Sequence, residues 1–237
     1  MNYLTRSKLS RLELSVLTLT NHYGLSVVEA MVYLPEFRGW AARAIQRLLN
    51  RLVRERLLSE VWLYAGRRCY LPTTSGLRAI TEQPMLPHDQ NRPLSEESKI
   101  RRFAMLSFCC LGRTRRVRLN RSTPSDSEGD PGLAISTGCY YIQPGDNVVY
   151  GFLRVDMCGK GRWDRVVAKC ADDARRIRSH NHWKPHTAAG RFEITIATAL
   201  PQKAERLSRA LTESPAELPV RIAVIPDLLH LIAPVPS

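Results

Sequence analysis

No stretch of this 237-residue chain approaches the roughly 20 consecutive apolar residues that cross a bilayer. The N-terminus lacks the apolar core and small-residue cleavage site of a secretory signal. Both absences point to a cytoplasmic protein without a membrane partner. Cysteine occurs six times, as Cys69, Cys109, Cys110, Cys139, Cys158 and Cys170, but never in a CxxC pair. Paired zinc or redox cysteines are thereby disfavoured, and each thiol reads as a small core residue. There is no internal repeat, and no Ser-His-Asp or Cys-His set has an arguable spacing. Cys158-Gly159-Lys160-Gly161-Arg162 lacks the length and the Lys-Ser/Thr ending of a phosphate-cradling loop. It reads as a plain strand-to-helix turn or as a helix start able to meet one phosphate.

Negative charge is also scarce. Asp and Glu number 22 against 35 Lys and Arg, a formal net charge of +13. Such an excess repels itself in a compact chain unless a polyanion or salt screens it. Apolar residues make up 44%, enough for a true core, so the excess points to nucleic acid as partner.

Three regions differ in composition. Residues 1–82 alternate helical patterns with short turns. Residues 83–95 carry Pro84, Pro87 and Pro93 among polar residues and suit a linker. Residues 96–237 mix helix and strand around the polar stretch 122–132, expected to be a mobile loop. In the first region a helix ends near Gly24. Ser26 is expected to cap a second helix, Val27 to Leu34, with Glu29 at the capping-box position, and Pro35 ends it. A third helix is expected from Gly39 to Leu58. Two short apolar strands flank the turn Ala65-Gly66-Arg67-Arg68, and a closing helix follows Thr73 or Thr74. Three helices followed by a β-hairpin is the order of a winged helix-turn-helix domain.

On a wheel of about 100° per residue, Ala41, Ile45, Leu48, Leu49 and Leu52 form the expected core face of the third helix. Trp40, Arg43, Gln46, Arg47, Asn50, Arg51 and Arg54 span an arc of roughly 140° on the opposite side. That arc contains no acid, whereas a merely solvated helix mixes both signs. Arginine can chelate guanine O6 and N7, and Gln or Asn can pair with adenine N6 and N7. Arg67 and Arg68 at the hairpin tip are expected to touch backbone phosphates, and Arg38 just before the helix is counted among the DNA-binding residues. These ten residues form the candidate site for double-stranded DNA. A basic helix in a protein-binding domain is the competing reading.

Beyond Ser95 the expected order is helix, hairpin, helix, strand, helix, strand, helix, an α/β domain with later strands in one mixed sheet. At RRFAMLSFCCL (Arg101 to Leu111), FLRVDM (Phe152 to Met157), RFEITIAT (Arg191 to Thr198), PQKAERL (Pro201 to Leu207) and VRIAVIP (Val220 to Pro226) the chain resembles the replication-relaxation family of plasmid and mobile-element proteins. The resemblance covers most of the chain as a pattern of elements. It implies a DNA-binding protein that controls transcription, replication or mobilisation, and a C-terminal domain similar to the restriction-endonuclease-like fold. The overall expectation is therefore an α+β chain, a winged helix plus a mixed α/β domain.

That similarity raises a metal-dependent nuclease as an alternative. Such enzymes set an Asp on one strand and Glu/Asp-x-Lys on the next, to hold magnesium and steady the nucleophile. Here Arg154 stands where a carboxylate is wanted, Lys160 lies beyond the strand and Asp146 falls in a turn. The pattern is broken, so catalysis is not expected and Asp156 reads as a salt-bridged acid. No cofactor and no metal are expected. His180, His182 and His186 are loosely spaced among cations, and a surface loop is the preferred reading over zinc. Arg101, Arg102, Arg113, Arg115, Arg116 and Arg118 either extend a DNA footprint or solvate a loop. A homodimer meeting two half-sites, replication or mobilisation proteins as partners, and a protein-interaction adaptor complete the expectations.

Overall fold

The computed structural model describes residues 9–32, 34–64, 66–80, 94–111, 114, 116–119, 138–142, 147–157 and 162–232. Most of the expected linker 83–95 and all of the loop 122–132 lie outside them. The chain divides into two compact units, residues 1–111 and 112–237. Helix-forming residues 96–111, expected to open the second domain, thus belong to the first unit.

In the first unit Ser10 caps α1 (Arg11–Tyr23) through a complete capping box with Glu13, and Gly24 ends it at φ +75°. Left-handed backbone of this kind favours glycine. Helix α2 spans Val28–Val32 and a 3-10 turn spans Pro35–Phe37. Ser26 does not cap α2. Its backbone instead exchanges two 2.9 Å hydrogen bonds with Tyr70, and its hydroxyl lies 2.8 Å from that of Thr20.

Helix α3 spans Ala42–Arg54 and buries Ile45, Leu49 and Leu52. Leu48 is half-buried, and Ala41 is exposed at the N-cap in extended backbone. The core face is thus narrower than the wheel suggested. Arg56, at φ +59°, turns the chain into an antiparallel hairpin, β1 (Leu58–Tyr64) and β2 (Arg67–Pro72). Thr73 accepts from the Gly76 backbone at 3.0 Å and starts α4 (Thr74–Ile80).

Helix α5 (Glu96–Leu106), capped by Ser95, runs into a single π turn over Ser107–Leu111. Ile100, Phe103, Ala104 and Leu106 of α5 are buried. Arg102 reaches the Gly24 carbonyl at 3.0 Å, so α5 is latched to the end of α1.

The second unit is a five-stranded mixed sheet in sequential order. Strands β3 (Val117–Arg118), β4 (Cys139–Ile142) and β5 (Val149–Val155) pair antiparallel. β5, β6 (Phe192–Thr198) and β7 (Val220–Val224) pair parallel. The parallel crossovers carry α6 (Trp163–Ser179), short α7 (Lys184–Ala188) and α8 (Pro201–Glu213). A 3-10 turn at Pro226–Leu228 and α9 (Leu229–Ile232) follow β7.

Phe192, Ile194 and Ile196 alternate along β6 and pack with Val166, Cys170 and Ile177 of α6 and Leu207 of α8. Glu193 and Thr195 point to the other side, where both oxygens lie 2.8 Å from the Tyr140 hydroxyl. Gly151, opposite Tyr140, leaves room for that ring. A Cβ there would stand 2.2 Å from the ring.

Candidate nucleic-acid interface

The candidate site grows from the geometry of α3. Its apolar residues Ile45, Leu49 and Leu52 turn inward, so positions i, i+4, i+7 and i+11 from Arg43 fall together on the opposite side. Those positions are Arg43, Arg47, Asn50 and Arg54, and all four are exposed. Arg38, exposed before the helix, is close in sequence to the same end. Among the described residues no carboxylate lies within ion-pair distance of Arg38, Arg43, Arg47 or Arg54. Trp40 is 39% exposed and sets its ring edge-on to buried Phe37 at 5.9 Å, so it is half anchor and half surface.

Three of the expected contact residues are committed elsewhere. Arg51 pairs with Glu13 of α1. Burial alone would raise the Glu13 carboxyl, but the Ser10 backbone and hydroxyl donors and the Arg51 guanidinium outweigh it and hold it below the usual value. Arg67 does not project from the hairpin tip. Its side chain is only 16% exposed, donates to the Tyr64 hydroxyl at 2.7 Å, and lies over the Tyr64 and Phe103 rings at 5.7 and 5.2 Å. Glu29 completes its surroundings at 3.3 Å. The guanidinium is held by aromatic faces and an acid, which removes it from the expected phosphate-contact set. Arg68 stays at the surface but pairs with Glu60 at 2.7 Å and stacks 4.7 Å from the Trp62 ring centre. Trp62 is 58% exposed, the largest apolar surface of the hairpin.

Gln46 is half-buried and belongs to a network that the sequence did not disclose. Its amino group donates to Asn50 Oδ1 at 2.9 Å and to the Tyr70 hydroxyl. Tyr70 in turn donates to Glu60 Oε1 at 3.2 Å. Burial raises the Tyr70 phenol; the Gln46 donor opposes that rise and the Glu60 charge adds to it. The hydroxyl therefore keeps its proton at neutral pH. Strand alternation could have flagged Glu60 opposite Tyr70, a registered pair, but nothing in the pattern announces the reach of Tyr70 to α3.

No family model, no curated protein and no solved structure matches this chain.

Two arginines of the second basic concentration have partners within the first unit. Arg101 pairs with Glu97, and Arg102 is spent on the Gly24 carbonyl, with burial lowering its guanidinium pKa. Arg113 and Arg115 lie outside the described residues. In the second unit Asp156 directly follows β5 and is only 3% exposed. It accepts from Thr198 at 3.1 Å and from Lys203 of α8 at 2.9 Å. Arg154 faces α6 and pairs with Asp173; burial raises that carboxyl and Arg154 opposes the rise. Lys160 and Asp146 are outside the described residues.

His182 and His186 have ring centres 6.1 Å apart, with Tyr150 against His186 at 4.5 Å. His180 Nδ1 accepts from the His182 backbone at 3.3 Å. Burial first, then Arg191 and His182, lowers the His186 pKa, so that ring is neutral at neutral pH. Among the described residues no three His, Cys, Asp or Glu side chains gather as a metal site, and no helix is long and apolar enough to cross a membrane. Burial pushes the Cys69 and Cys170 thiols up to about 11, as expected of inert core thiols.

Proposed function

We propose that the first unit is a winged-helix domain that binds double-stranded DNA, with α3 in the major groove. One observation carries this reading. Arg43, Arg47 and Arg54 share an exposed stripe with Asn50 and have no acidic neighbour within ion-pair distance among the described residues. A helix that only faces water gains from pairing its cations with nearby acids, and α3 does so at Arg51 alone. The remaining guanidiniums repel one another until a polyanion arrives. The amides beside them add hydrogen-bonding groups suited to base edges. Arg38 and the hairpin surface around Arg68 would meet the flanking backbone.

The biological use that fits is control of transcription, replication or mobilisation of a plasmid or mobile element, as the resemblance to replication-relaxation proteins suggests. Two copies would then meet two half-sites. The second unit serves binding or assembly in this reading. Asp156 favours that role over hydrolysis, because its carboxylate is buried and both oxygens face Lys203 or Thr198.

The test is a gel shift with random-sequence and element-derived duplexes at two salt concentrations. Four phosphate contacts give a slope of log K against log salt near about −3.6, at about 0.9 per neutralised phosphate. Arg43→Ala/Arg47→Ala is expected to flatten that slope by about half and weaken binding by about tenfold or more. Binding unchanged in the double variant, with folding intact, removes α3 from the interface.

A further inference from the structure

We infer that Gln46 and Asn50 read a single adenine in the major groove, and that Glu60 and Tyr70 fix the amide orientations that make this possible. The inference rests on the duplex-binding reading above and specifies what that surface recognises.

The protons available on these groups fix which end each amide presents. A carboxylate only accepts, so the Tyr70 hydroxyl, with one hydrogen, must spend it on Glu60 Oε1 at 3.2 Å. Glu60 is itself held by Arg68 at 2.7 Å through its other oxygen. The Tyr70 oxygen can then only accept from Gln46, and the group that Gln46 presents to it must be the NH₂ and not the carbonyl. The second hydrogen of that NH₂ goes to Asn50 Oδ1 at 2.9 Å. A freely turning amide can exchange its donor and acceptor ends; these two are fixed by a chain of partners that starts at an acid.

Two amide groups remain without a partner among the described residues. Gln46 keeps its Oε1, an acceptor, and Asn50 keeps both hydrogens of its Nδ2. They lie one turn apart, Asn50 on the exposed stripe of Arg43, Arg47 and Arg54 and half-buried Gln46 at the edge of that stripe. An acceptor beside a donor calls for a donor beside an acceptor on the base edge. Adenine presents that pair on one base, as N6–H₂ and N7. Guanine presents two acceptors there, and thymine an acceptor and a methyl group. Glu60 and Tyr70 therefore act as positioning residues. Tyr70 is almost wholly buried and has no path to the base itself.

The experiment selects binding sites from a randomised duplex pool using the full chain and its Tyr70→Phe and Glu60→Gln variants. The parent is expected to enrich an adenine at one position, with about 5- to 150-fold discrimination there. Replacing that adenine by 7-deazaadenine removes N7 and is expected to abolish most of the preference. Tyr70→Phe keeps the ring and the backbone pairing to Ser26, and it is expected to lose preference at that one position while the salt slope stays unchanged. Glu60→Gln changes no volume, can hand a proton back to Tyr70, and is expected to lose the same preference. It serves as the second probe if Tyr70→Phe unfolds.

Salt-steep binding with an identical base preference in parent and both variants overturns this inference alone. So does a parent preference for guanine, cytosine or thymine at the Gln46 position. Absence of any duplex retention at low salt overturns the duplex reading, and this inference with it.

Discussion

Arg47 and Arg51 are four residues apart on one helix, yet only Arg51 has a carboxylate to answer it. The difference lies in Glu13, a buried acid of α1 that also closes the capping box with Ser10. The Glu13 carboxyl is held below its ordinary value in the folded chain. A depressed carboxyl stabilises the fold at pH above its unfolded value and loses that contribution as pH falls through its folded value. Glu13→Gln is therefore expected to lower the unfolding midpoint at neutral pH and to reduce its decline below about pH 4.5, a difference that urea titrations at several pH values would register. The pair is half-exposed on the Arg51 side, so most of the expected loss, about 0.5–2 kcal/mol, belongs to the cap. Equal pH profiles for parent and variant would contradict the assignment.

At the scale of elements, the residue that follows β5 is joined to α8 by an ion pair that neither element contains alone. Asp156 and Lys203 are both almost fully buried, 2.7 Å apart. Removing one member leaves the other charge buried and unanswered, at a cost of about 3–5 kcal/mol, whereas replacing both with apolar residues is often near neutral. Asp156→Ala is expected to lower the urea midpoint strongly, and Asp156→Leu/Lys203→Met to recover much of it. A catalytic Asp156 would give the opposite result, a stable variant that has lost magnesium-dependent cleavage.

Most elements were legible from the sequence. The glycine after α1, the β-branched run of β6 and the proline at the start of α8 each act within a few residues, so pattern reading finds them; the Ser10–Glu13 capping box is equally local but was not read. Ser26 misled because its partner Tyr70 is distant along the chain, and Arg67 misled because a turn position says nothing of the rings packed beside it.

For the whole molecule, the division falls after Leu111, so α5 completes the unit that carries α3. Phe103 is wholly buried, and truncating such a side chain costs about 3–5 kcal/mol. A chain of residues 1–111 is expected to unfold in one cooperative transition, followed by circular dichroism. A chain of residues 1–82, bounded as the composition suggested, is expected to unfold at lower temperature and to aggregate, because the surface under α5 is bare. Equal midpoints for the two would return α5 to the second unit.

Charge balance, the one-signed arc of α3 and the succession of helices and strands follow from local composition and periodicity, which are properties of adjacent residues. The sequence determined those unaided. Which cations stay available was settled only when α1, the hairpin and α5 came together, since an ion pair or a ring over a guanidinium depends on residues far apart in the chain. The physical reason is the short range of these contacts: a partner within 3 Å decides whether an arginine faces solvent, and only folding brings that partner there.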